Sequence, residues 1–272
     1  MTYTQTFMEK LLGKNYKWWY LMIFQLKSRT SSFFDSALFV TGQLLIVVST
    51  ITIWWLAGGK VVDNPFRERV VYFIVGELFF AFIFNFAEFT AFEIIRGQHI
   101  SKLLRPQNFF KITFFDLYGQ ALLQNIVKIT ILLCALILII ISGITTISFI
   151  NSVIFLMLPT GLVILFLIKF LVGCSGFFLS RIHGDAMNLT FLSSQLMGRS
   201  FPLDLLIPNF WINLLNPFAF TFYHPMQVYL GNYSLNQVLF TILSGIIWSF
   251  VLYLVAKFTL KAGLKRNEAI GL

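Results

Sequence analysis

The sequence predicts an all-α polytopic membrane protein. It has six transmembrane helices, an N-terminal interfacial amphipathic helix, and short re-entrant or outer helices before the last span. Three observations carry this expectation. Of 272 residues, 58% are hydrophobic and only 11% are charged, where a soluble domain carries about 25% charged residues. The apolar residues come in blocks long enough to cross a bilayer, which takes about 20 residues each. The basic residues gather at the ends of those blocks, as membrane topology requires.

Residues 1–34 form the expected interfacial helix. Phe7, Leu11, Leu12, Trp18, Trp19, Leu21, Met22 and Phe24 are interleaved with Lys10, Lys14, Lys17, Lys27 and Arg29, and bulky apolar plus basic residues suit a helix lying among lipid headgroups. A soluble lead-in is the alternative. The run Trp18 to Phe24 is too short for a secretory signal, and no small-residue cleavage site follows it. The transmembrane domain occupies 35–258, with spans expected near 35–57, 69–93, 114–143, 151–179, 186–200 and 236–258. The third is longer than a crossing needs, and the fifth runs into a proline-interrupted region. A tail, 259–272, follows.

Orientation comes from lysine and arginine. With the N-terminus in the cytoplasm, the inner segments hold Lys10, Lys14, Lys17, Lys27, Arg29, Arg96, Lys102, Arg105, Lys111, Arg181, Lys257, Lys261, Lys265 and Arg266. The outer side holds only Lys60, Arg67, Arg69 and Arg199. This asymmetry puts both termini on the cytoplasmic side, and the expected location is the inner membrane of a prokaryote. The formal charge of +9 is thereby absorbed by topology and lipid. No polar domain carries an Arg/Lys stripe with interleaved aromatics, so nucleic acid is excluded as a partner. Cys134 and Cys174 fall inside apolar blocks and read as small buried residues. No polar stretch reaches the ~50 residues of an independent domain.

The outer segment, 200–235, holds Pro202, Pro208, Pro217 and Pro225 among Phe, Trp and Leu. Proline removes a backbone donor and ends or kinks helices. Broken helix at membrane depth survives only where protein or a cavity covers it. Short re-entrant or surface-lying helices are therefore expected, with an ordinary apolar loop as the alternative.

At this point the residues resemble the six-span permeases of the ABC-2 transporter family that carry no fused ATPase. One stretch is FEIIRGQHISKLLRPQNFF at 92–110, with Arg96, Gly97, Leu103, Leu104, Arg105 and Pro106 matching the family's Arg-Gly and Leu-Leu-Arg-Pro. A second is MGRSFPLDLLIPNFWINLLNPFAFTFYHPMQVYLG at 197–231, with Gly198, Pro202, Leu203, Pro208, Pro217, Phe218, Tyr223, Pro225, Leu230 and Gly231 at the family's intervals. The third is the end, where Gly263, Leu264, Arg266, Glu268 and Gly271 fit but Asn267 stands where an aromatic is usual. The resemblance implies a permease subunit that pairs with a second copy or a related permease. It implies a separate ABC ATPase subunit on the cytoplasmic side, holding the ATP and Mg²⁺, and it favours export. Drug, peptide, lipid and sugar conjugate all stay open as cargo.

The motif inventory agrees with a non-enzymatic chain. There is no GxxxxGK[ST] phosphate loop, no HExxH and no nucleophile elbow, so no catalytic, cofactor-binding or metal-binding residue is expected. His99, His183 and His224 are far apart and read as interfacial polar residues. The best functional candidate is the coupling segment, 94–112. A short helix there would seat Leu103 and Leu104 in a groove of the ATPase, with Arg96, Lys102 and Arg105 meeting acidic rim residues and Pro106 ending it. The alternative is that these cations only set topology. Glu77, Asn85 and Glu88 form the second candidate. Glu77 and Glu88 lie eleven residues apart on one helical face, which could line the pathway or meet the other protomer; Glu88 could equally reach water at the span's end. Lys128 and Lys169 are expected to snorkel towards the inner interface. Rival readings are a membrane scaffold or immunity-type protein with no ATPase partner, and an ion-driven transporter, which would show internal repeats and midplane charge pairs.

Overall fold

The computed structural model describes residues 64–83, 94, 97, 99–104, 108–141, 153–178, 192–193, 195–199 and 202–269, with 23, 38, 41, 42, 45, 48, 49 and 52 before them. The expected interfacial helix and the first span fall almost wholly outside the described residues. Within them the chain is helical, with no strand. In order come α1 (Asn64–Ala81), α2 (His99–Leu103), α3 (Phe109–Ile141) and α4 (Ile154–Cys174). Then follow α5 (Phe210–Leu214), α6 (Tyr223–Tyr229) and α7 (Leu235–Ala269). Short 3₁₀ turns at Ser175–Phe177, Leu203–Leu205 and Pro217–Thr221 join them.

Among the described residues, two helices are long and apolar enough to cross a membrane. They are Ile154–Phe177, with mean hydropathy 2.5, and Leu235–Arg266, with mean hydropathy 2.3. They differ in how they use that apolarity. α4 buries most of its length, and α7 buries only Thr241, Gly245, Leu252, Ala256, Leu260 and Gly263, a single stripe at helical spacing. Four of those six are small, which lets two backbones approach closely. The other faces of α7 show Leu239, Phe240, Leu243, Ile247 and Phe250 outwards, as a lipid-facing helix does. α1 is the opposite case. Val70 to Val75 are buried without a break, and a helix that is apolar all round belongs inside a bundle.

α7 packs along α4, α1 packs along α3, and the Pro217–Thr221 turn rests on α4. Phe220 is wedged where α4 meets α7. A β-carbon on Gly161 would come within 3.1 Å of the Phe220 carbonyl, and one on Gly245 within 3.3 Å of its ring. One apolar core gathers α1 with Met157, Phe222 and Met226. Another gathers Ile164, Phe166 and Phe170 of α4 with Leu117, Leu252, Leu260 and Phe177.

Several expected boundaries move. The second span was expected over 69–93, but α1 begins at Asn64 and ends at Ala81. It closes with bonds from Phe82 N to Phe79 O and from Ile83 N to Phe80 O. Glu88, expected to share a helical face with Glu77, lies outside the described residues. The third span, expected over 114–143, is α3 at 109–141. At 33 residues it is about 50 Å long. The last span, expected over 236–258, continues as helix to Ala269. Lys, Ala and Leu favour helix, and no proline interrupts 259–269. Of the weak fifth span, residues 192–193 and 195–196 are helical.

The tightest point in the bundle is Gly76. A β-carbon there would stand 2.2 Å from Cζ of Phe222. That ring is fully buried and held edge-on by Tyr72 at 5.5 Å. Gly76→Ala should therefore destabilise the protein by about 1–3 kcal/mol, as overpacking does, and Phe222→Leu should recover part of the loss. Thermal unfolding in detergent measures both, and an unchanged midpoint in Gly76→Ala would contradict this packing.

Candidate functional site: a buried charge centre and an exposed coupling helix

Charged groups inside a membrane bundle are costly, roughly 2.5–3.5 kcal/mol each on insertion scales. Three of them meet in this chain. Glu77 of α1 is 2% exposed. Lys128 of α3 donates from Nζ to Glu77 Oε2 at 2.7 Å. Arg199, before the outer segment, donates from Nε to Oε1 and from its terminal nitrogen to Oε2 at 2.9 Å. The Phe80 ring lies 4.9 Å from the guanidinium and 5.9 Å from the ammonium, close enough for cation–π attraction. Glu77 therefore spends both carboxylate oxygens inside the chain. Asn85 and Glu88 lie outside the described residues.

Lys128 is the correction here. It was expected to snorkel to the interface, and it is buried instead against Glu77. The sequence shows Glu77 well inside the second span and Lys128 inside the third, but not that the two helices pair. Lys169 is buried in α4 as well.

The coupling segment is built differently. Gly97 turns the chain with φ of +70°, and α2 follows at once. His99 is buried, with its ring edge-on to Phe177 at 5.2 Å. Lys102 was expected to meet an acidic rim on a partner. Its Nζ instead donates to Asp116 Oδ2 of α3 at 2.5 Å, which fastens α2 to the bundle. With His99 and Lys102 turned inwards, Leu104 stands 80% exposed, beside Ile100 and Leu103 at 38% and 36%. Arg96, Arg105 and Pro106 lie outside the described residues, as does His183.

In the outer segment the prolines start short helices rather than breaking a long one. Pro202 opens the Leu203–Leu205 turn, and Pro217 is the first residue of its turn, capped by the Asn216 side chain. Pro208 precedes Asn209, whose Oδ1 accepts from Trp211 N at 2.9 Å. Pro225 sits in the first turn of α6. Gly198 and Gly231 both take φ of +74°, a conformation that costs a side chain. The carbonyl of Gly198 accepts from Tyr72 OH at 2.6 Å. His224, expected at an interface, is fully buried. Its Nε2 faces the Asn213 carbonyl at 3.2 Å and must donate to it. Nδ1 then accepts from Tyr233 OH at 2.8 Å. Tyr223 is buried beside it.

Residues 44–271 match the family model described as ABC-2 family transporter protein. The chain belongs to this family. Neither a curated protein nor a solved structure matches it. As an ABC-2 transporter chain it is a membrane-embedded helical protein of permease type.

One cavity lies on the outer-segment side of this permease. It measures about 200 Å³ and is lined by Glu68, Arg69 and Tyr72 of α1 with Pro202, Asp204, Gln227 and Asn232. Asn232 donates to Gln227 Oε1 at 2.6 Å, and Gln227 donates to Asp204 Oδ1 at 3.4 Å. Drug-sized ligands occupy about 300–1,000 Å³, so this space is small for one. Among the described residues, no group of His, Cys, Asp and Glu is arranged to hold a metal ion.

The charge centre holds two cations against one carboxylate, which ranks its variants. Glu77→Gln leaves both cations uncompensated and should cost about 3–5 kcal/mol, the usual cost of orphaning a buried charge. Lys128→Met leaves a one-to-one pair and should cost far less. Arg199→Met should fall between, because it forfeits the two-pronged contact. Unfolding midpoints in detergent give the order, and Lys128→Met proving as damaging as Glu77→Gln would refute it.

Proposed function

We infer that this chain is the permease subunit of an ATP-driven ABC-2-type exporter of a hydrophobic or amphipathic compound. It forms the substrate pathway with a second copy or a related permease, across six spans. A separate ATPase subunit drives it, binding ATP and Mg²⁺ itself and docking on the basic, cytoplasmic face. Both termini lie on that face, in the inner membrane of a prokaryote.

The observation that carries this reading is α2. It is a short helix fixed at two points, Lys102 to Asp116 and His99 against Phe177. It nonetheless presents Leu104 almost bare. A bare leucine on a braced element supports a docking knob, since an unbraced one would fold back onto apolar surface to escape water. The basic residues around it suit an acidic rim on the partner. The apolar outer faces of α7 suit lipid or a second permease.

The test replaces Leu104 and Arg105 together, as Leu104→Asp with Arg105→Ala. The ATPase subunit should be lost from the complex purified in mild detergent, and transport should stop. The unfolding midpoint of the permease should stay unchanged, because neither substitution touches the Lys102–Asp116 tie. Full retention of the ATPase with normal transport would count decisively against α2 as the coupling element.

A further inference from the structure

We propose that the projecting end of α7 is a second docking surface for the ATPase subunit, through the lysine row Lys257, Lys261 and Lys265. This rests on the ATPase-driven reading above and adds a contact that α2 does not supply.

The row is a product of helix geometry. The three lysines recur every four residues on one continuous helix, and all are exposed. At about 100° per residue Lys265 stands opposite the buried stripe of Ala256, Leu260 and Gly263, and Lys261 and Lys257 turn progressively towards its flank. They therefore face away from the bundle. Among the described residues no acidic side chain meets any of them.

A ruler argument separates lipid from protein as the occupant. Phe258, 71% exposed, is the last bare large apolar side chain on α7 and marks the edge of the hydrocarbon. Lys265 lies seven residues further, about 10 Å along the axis. One headgroup layer is only about 5–7 Å thick, and an ordinary tilt of ~20° shortens the projection by little. Lys257 can meet lipid phosphate, but Lys265 reaches past it into water. A second copy of this chain would bring the same cations against this row, and like charges repel. An acidic face on a water-soluble subunit fits.

The projecting end is also braced. Gly263 packs so closely on Phe177 that a β-carbon would stand 2.5 Å from its ring. Arg266 lies over the Phe178 ring at 5.7 Å. The same Phe177 ring meets His99 of α2 on another side. A subunit gripping both α2 and the lysine row would hold two elements that share one ring.

The test places a photo-crosslinking amino acid at position 104 or position 265 in membranes holding the intact complex. Capture of the same ATPase chain from both positions is the expected result. In addition, Lys261→Glu with Lys265→Glu should lower capture from position 104 about five- to tenfold at low salt, the scale of reversing two surface contacts. Lys261→Arg with Lys265→Arg should leave it unchanged. ATPase capture from 104 with only lipid, a second copy or nothing from 265 overturns the lysine-row surface and leaves the α2 reading standing. No ATPase from either position overturns both.

Discussion

The carboxylate of Glu77 is the constraint around which the described helices are arranged. It is removed from water, so it must be met by cations inside the bundle or not be charged at all. The two that meet it come from different parts of the chain, Lys128 from α3 and Arg199 from just before the outer segment. Bringing them to one point fixes α1 against α3 and pins the start of the outer segment to α1. The bond from Tyr72 OH to the Gly198 carbonyl, one turn up the same helix, repeats that attachment next to Arg199. A bond between neutral groups and a pair between charged ones thus hold the same junction.

The surplus cation gives the centre its character. A single Arg–Glu pair would neutralise itself with good two-pronged geometry. Lys128 adds a second positive charge to the same carboxylate, sharing Oε2 with the terminal nitrogen of Arg199. Part of the excess is eased by Phe80, whose ring faces both cations, and part by Arg199, whose side chain keeps 28% of its surface open. The centre therefore sits at an edge of the apolar core and not in its middle.

The all-helical class and the short helices between residues 202 and 229 were legible in the sequence for a simple reason: both are local. Blocks of apolar residues announce helices, and closely spaced prolines announce that the helices between them are short. Gly198 and Gly231 mark turns that only the backbone conformation requires. What was not legible depended on pairing between distant segments. Lys128 was read as a long side chain reaching for the interface, because nothing in its own neighbourhood offers a carboxylate. Lys102 was assigned outwards for the same reason, with Asp116 fourteen residues away on a helix whose rotation the sequence does not give. The end of α1 at Ala81 was hidden because AFIFNFAEF, which follows Phe80, continues the largely apolar pattern. The extension of α7 was hidden by Lys257, Lys261 and Lys265, which end the apolar run that marks a span although the helix continues.

α3 joins the two halves of the candidate site. Near one end Asp116 holds Lys102 of α2, and further along Lys128 holds Glu77. The two lie twelve residues apart on one unbroken helix, about 18 Å. Any displacement of α2 that keeps the Lys102–Asp116 pair closed must shift or rotate α3. Any such motion of α3 is felt at a centre where a carboxylate already serves two cations. The centre can follow only by moving α1 and Arg199 together, or by opening one of the pairs; opening the Lys128 pair keeps Glu77 neutralised by Arg199 but leaves a buried ammonium without its carboxylate. The surplus charge is thus what allows the bundle to yield at α3 without orphaning the carboxylate on which the rest depends.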